Sequence, residues 1–232
     1  MAGIMTHLVI AREILMRLPR ETIPEEALFY MGAFGPDAIH SRKDFVRADK
    51  KHTHLRDDIP DPEFVQTENV ELFHVRLAEF IHKYCFREDG LKDLYKGYVV
   101  HLLTDELYML TIREEFNKIM MELGIEQLDP KYFHCIIEDM TRNDDFLMEH
   151  YEGVMEIREK VEQAPAHSID DLLSKNEMND CREWVIRRYY MDKIEHNLPE
   201  YITYERTEQF IMTAVKDIID RLSDGRHFPK IF

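Results

Sequence analysis

Residues 97–110 read GYVVHLLTDELYML, and this stretch decides the fold. It is apolar on every side apart from His101, Thr104, Asp105 and Glu106. A helix that is apolar all round belongs in a core, wrapped by other helices. Outward from it, the pattern predicts one helix over about residues 91–123, opened after Gly90. Upstream, Leu8, Ala11, Leu15 and Leu18 recur at helical spacing and predict a first helix over about residues 6–18, with Thr6 as its N-cap. Pro24, followed by Glu25 and Glu26, opens a second helix that Gly35-Pro36 stops. A third is expected over about residues 69–85. Between them, about residues 37–61 keep no period and read as a long loop rich in His, Asp, Arg and Lys, of a length that usually carries function.

Downstream, helices are expected over about residues 130–163 (bent near Asn143), briefly after Ser168, and over about 178–197 and 203–222. Pro165, Pro199 and Gly225 punctuate them. Only 8 glycines and 9 prolines occur in 232 residues, which suits helices with short connections better than a turn-rich β fold. With no internal repeat and no linker, residues 1–232 read as a single multi-helix, all-α domain with a buried central helix.

The formal net charge is −16, with acidic residues spread along the chain and no basic stripe. Long nucleic acid is thereby excluded as a partner, because the general field repels phosphate. Arg12 and Glu13 interrupt the first apolar stretch, so no signal-peptide core is read there. No apolar run reaches the about 18 residues of a membrane span. Cys85, Cys135 and Cys181 are odd in number and unpaired in spacing, which fits reduced thiols and a cytoplasmic location.

Four short motifs carry the chemistry. His101 and Asp105 stand four residues apart and share a helix face about 6 Å apart along the axis, a gap one metal ion can bridge. Buried in an apolar helix they need partners, which either a divalent cation or a mutual hydrogen bond would supply. Gly35-Pro36-Asp37 hands a carboxylate to the start of the loop, as a ligand or as a turn cap. His52-Thr53-His54-Leu55 places two histidines on one side of an extended chain, although loops also carry solvated histidine. Thr6-His7-Leu8 puts an imidazole in the first helical turn, facing a site or solvent.

Taken in order, THL, FYMGAFGPDAIH, HTHL and GYVVHLLTD resemble the zinc-dependent phospholipase C family, an all-helical fold shared with fungal single-strand nucleases. The resemblance covers about residues 6–108. It implies that Asp37, His54, His101 and Asp105 ligate one zinc ion, and that His7 binds a neighbouring ion with Asp105 bridging the two. Leu55 matches the family's residue after the ligand, which favours His54 and leaves His52 as a supporting donor. The histidine expected shortly after the bridging aspartate is missing, while His134 and Glu138 form a later HxxxE pair resembling the remaining third-site ligands. The implied activity is hydrolysis of a small phosphoester or phospholipid head group by metal-activated water, with Asp37 or Asp105 orienting the water or taking its proton. An HD-type phosphohydrolase would need an adjacent His-Asp pair, which this chain lacks. The alternative outside enzymology is a non-catalytic, metal-stabilised helical binding or scaffold protein.

Overall fold

At the centre of the structure two helix backbones touch. In this computed structural model, which describes residues 1–193 and 197–232, α1 spans Ile4–Arg17 and α2 spans Glu26–Phe34. Further along, α3 is Arg47–Thr53, α4 is Thr67–Phe80 with a π-turn over Ile81–Cys85, and α5 is Lys92–Leu110. A Cβ added at Gly32 of α2 would lie 2.0 Å from the Leu94 carbonyl oxygen, and one at Gly97 of α5 would lie 2.0 Å from the Phe29 carbonyl oxygen. Only glycine permits that approach. Residues 97–106 are all buried, as the apolar-all-round pattern predicts.

The remaining helices wrap this pair: α6 Ile112–Glu122, α7 Pro130–His150, α8 Val154–Gln163, α9 Lys175–Tyr190 and α10 Tyr204–Ser223. The architecture is all-helical, and among the described residues the sole β-type pairing is an isolated bridge between Ile169 and Leu173. One hydrophobic cluster takes in residues from Ala2 to Ile231, including the three free, buried cysteines. Among the described residues, no helix is long and apolar enough to cross a membrane.

Several boundaries differ from the sequence reading. Thr6 does not cap α1; the helix starts at Ile4 and takes its cap from a distant residue. Asp144 of α7 accepts from the Met5 N–H at 3.0 Å and from the Thr6 N–H and hydroxyl at 3.2 Å each, satisfying donors a local cap would serve. Gly3 makes room for it, since a Cβ there would lie 2.3 Å from the Asp144 carboxylate.

The helix expected over 91–123 breaks at Thr111, whose backbone leaves the helical region (φ −124°, ψ −79°) and whose hydroxyl donates to the Leu107 carbonyl at 2.6 Å. That expected over 130–163 breaks between α7 and α8 instead of bending at Asn143. Asn143 is a buried tie: its amide donates to the Ile202 carbonyl at 2.9 Å and its oxygen accepts from Thr207 at 2.9 Å. No helix follows Ser168; the Ile169–Leu173 bridge closes a turn there. The helix expected to Asn197 ends at Tyr190, and residues 194–196 of that expectation lie outside the described residues.

Because the atoms a new methyl group would meet are main-chain, neither neighbour can turn aside. Gly97→Ala and Gly32→Ala should each lower unfolding free energy by at least about 3 kcal/mol, the upper part of the usual overpacking range. Chemical denaturation checks this, and a loss below 1 kcal/mol would mean the two helices separate easily.

Candidate metal centre

His101 lies one turn beyond Gly97 on α5, so the close approach of α2 sets its ring. Its Nδ1 is 2.8 Å from the Ala33 carbonyl, which can only accept; Nδ1 therefore carries the proton and Nε2 keeps its lone pair. His54 is oriented the same way, with Nδ1 donating to the Lys50 carbonyl at 2.9 Å. Its Nε2 lies 3.4 Å from His101 Nε2, 3.5 Å from Asp105 Oδ2 and 3.6 Å from Asp37 Oδ1. His7, from the first turns of α1, stacks on His101 with ring centroids 3.8 Å apart and brings Nε2 to 3.4 Å from Asp105 Oδ1.

The five residues read from the sequence are thus brought together, in two overlapping groups. His7, His101 and Asp105 form one, and Asp37, His54 and His101 the other, with ligand atoms in each group within 4.8 Å of one another. Ligands 2.0–2.1 Å from a tetrahedral ion lie about 3.3 Å apart, close to these separations. His101 is common to both groups, but a single Nε2 serves one ion at a time. Asp105 has an oxygen for each side: Oδ1 faces His7, and Oδ2 faces His54 and, at 3.9 Å, His101. Oδ1 also accepts the Ala2 N–H at 2.9 Å.

Hydrogen bonding does not account for the cluster. Both ring nitrogens of His7 and Oδ2 of Asp105 are buried without a hydrogen-bond partner. Unmatched polar atoms at full burial are costly, and here one lone-pair nitrogen of His7 and Oδ2 of Asp105 are of the kind a cation takes, the other His7 nitrogen carrying the proton. Burial lowers the His101 imidazole, with His7 beside it, to about 4, and burial and Lys50 hold His54 well below its ordinary value. Burial alone would raise the two carboxyls. Lys50, His101 and His54 outweigh it at Asp37; the N-terminal amino group, His7 and His101 do so at Asp105, leaving both well below the usual carboxylate range. The imidazoles stay neutral and the carboxylates ionised, the states in which each ligates a metal.

Other sequence candidates lie elsewhere. His52, half-exposed, pairs with Asp57 at 2.9 Å, because 52–54 close a helix instead of an extended chain. His134 and Glu138 face solvent on α7, with side chains 70% and 46% exposed, and pair with each other at 3.4 Å; neither joins the ligand groups. Glu106 is engaged by His74 at 2.6 Å and Arg221 at 3.1 Å, tying α5 to α4 and α10.

Lys50 is the residue of the cluster that the sequence reading passed over. It is 2% exposed, donates Nζ to the Asp37 carboxylate and to His40 Nε2 at 2.8 Å, and lines a cleft of about 460 Å³ with Asp37, His40, Trp184 and Arg188. A lysine four residues before a histidine on one helical turn is the only trace it leaves in the sequence. Comparison with family models, with curated proteins and with solved structures finds no match to this chain.

The neutral His101 imposes a pH dependence on the metal-free protein. Folded, it stays neutral down to about 4, whereas the unfolded chain takes up its proton near 6.5. Between those values the unfolded state binds more protons, so stability falls as pH drops through that window. Thermal unfolding from pH 7 to 4 in EDTA should show this fall, with a shallower one in His101→Gln; equal slopes would place the titration elsewhere.

Proposed function

We propose that this chain is a metal-dependent phosphoester hydrolase of the phospholipase C type, with zinc as the metal held by His7, Asp37, His54, His101 and Asp105. The observation that carries the reading is the set of unpartnered, buried donor atoms on His7 and Asp105 at the centre of five convergent ligands. The resemblance of the four motifs to that phospholipase family supplies the reaction class, which a fold alone would not. Bound there, zinc supplies Lewis acidity toward a phosphoryl oxygen and lowers the pKa of water toward neutrality.

The chain's own groups supply the rest. The carbonyls of Ala33 and Lys50 hold the two imidazoles in one tautomer, so both Nε2 atoms are preset toward the cluster. Asp37 borders the cleft and is the carboxylate placed to orient an entering water or take its proton. Lys50 lines the same cleft and offers fixed positive charge to an anionic ester despite the repulsive overall field.

A second reading, a metal-stabilised scaffold without turnover, draws on the same lysine: its ammonium already balances Asp37.

Two measurements test the proposal. Protein purified without chelator should hold one to two equivalents of zinc. His7→Ala should keep the ion on Asp37, His54, His101 and Asp105, while Asp105→Asn should lose most metal, since an amide binds such cations poorly. Equal metal content in parent and both variants would refute the shared carboxylate. Small chromogenic phosphodiesters should be cleaved, with activity lost in EDTA and restored by zinc. A zinc-loaded protein inert on diesters, monoesters and phospholipids would leave the scaffold reading.

A further inference from the structure

Arg56 is buried to 5% exposure, and no hydrogen bond or ion pair engages its guanidinium among the described residues. Its one close partner is the Phe64 ring, 5.2 Å from Cζ. None of its nitrogens is fully enclosed, so the unpaired guanidinium opens its N–H donors to the adjoining spaces while its stem is buried. The residue borders the ligand cluster through a small hollow shared with His54 and Asp105. It also lines a separate cleft of about 420 Å³, where Arg47, Lys51 and Arg113 are the other cationic residues. Arg47 is paired with Asp61, but Arg113 meets only Tyr132, over its ring at 4.8 Å and through a side-chain hydrogen bond, and neither Arg113 nor Lys51 has an ion pair among the described residues. Four cations around one cleft run against a chain of net charge −16.

Apolar side chains make up much of the remaining wall, beside Asp61, Glu114, Asn117 and Gln127. Leu128, Phe133 and Ile137 line this cleft while remaining 84%, 44% and 54% exposed, and Ile136 and Met140 extend the same apolar surface along α7. Phe133 and Ile137 share one helix face by their four-residue spacing. Cationic groups at one part of a cleft and open apolar side chains at another suit a ligand of matching polarity.

We infer that this cleft binds a phosphate group carried on an apolar chain, with Arg56 and Arg113 taking the phosphate oxygens and the α7 residues taking the chain. This cleft and the one beside Asp37 and Lys50 share Met1 and Met140 on their walls, so a ligand seated here extends toward the neighbouring centre, whose substrate is then an anionic amphiphile instead of a zwitterionic or cationic one. That last step rests on the hydrolase reading; the binding itself does not, because no residue of this cleft is a proposed metal ligand. Arginine suits the task because its planar fork donates two parallel hydrogen bonds to phosphate.

Calorimetric titration of the EDTA-treated full chain tests the site apart from the metal. Octyl phosphate should bind saturably, about tenfold tighter than inorganic phosphate and about tenfold tighter than octylphosphocholine. Arg113→Gln, at a half-buried position that folding tolerates, and Arg56→Gln should each weaken octyl phosphate about tenfold, and Arg56→Lys should recover part of that loss; circular dichroism confirms that each is folded. Equal affinity for octyl and inorganic phosphate would remove the apolar chain from the ligand, and equal affinity for octylphosphocholine would remove the anionic specificity. Parent-like affinity in folded Arg113→Gln would overturn the assignment. Failure of the hydrolase reading looks different: octyl phosphate still binds, but the protein neither holds zinc nor cleaves a diester.

Discussion

The contact between α2 and α5 at Gly32 and Gly97 fixes more than a crossing point. With the two backbones touching, the Ala33 carbonyl falls within 2.8 Å of His101 Nδ1, so a packing constraint becomes a tautomer constraint. Everything else in the cluster is placed relative to that ring. His7 stacks on it at 3.8 Å, His54 meets it edge-on with centroids 5.3 Å apart, and Asp105 follows one turn later on the same helix. The position of His7 depends in turn on Asp144, which holds the first turn of α1 from across the structure.

Desolvation then sorts the charges. Buried imidazoles are driven neutral, and buried carboxyls would be driven neutral too unless cations stood beside them. Lys50 is such a cation at Asp37, and it acts twice: its carbonyl sets the His54 tautomer while its ammonium holds the Asp37 carboxylate. The ion pair with Asp37 is what makes an ammonium tolerable at 2% exposure, where an isolated one would be costly.

How much of this was legible depended on whether a signal was local. The apolar-all-round pattern of 97–110 marked the core helix, and the five residues that converge were singled out from short motifs by their order and their resemblance to the phospholipase C family. The cap of α1 was invisible because Asp144 acts from far along the chain. The short helix α3 was missed because Leu55, at φ 56°, takes the left-handed position after it, where a reader looks for glycine. Thr111 broke α5 from α6 without proline or glycine. Lys50 was overlooked because a lysine in a charged segment reads as solvated, and only tertiary packing shows that it is not. His134 and Glu138 failed in the opposite sense: their helical spacing is right, but it presents them to solvent.

Charge inventory links the two clefts. Burial lowers the N-terminal amine to about 5, so near neutral pH Asp37 and Asp105 with Lys50 give the cluster a net charge of minus one before any metal enters. One divalent ion reverses that to plus one, and a second adds two further positive charges with no new carboxylate to meet them. The first ion on the proposed centre is therefore held by attraction and the second against a growing repulsion, which like charges in a poorly solvated site feel strongly. An anionic ligand is the natural remaining source of negative charge. A substrate whose phosphate also engages Arg56, beside Asp105, would add negative charge where the centre lacks it, so ligand and second ion would each strengthen the binding of the other.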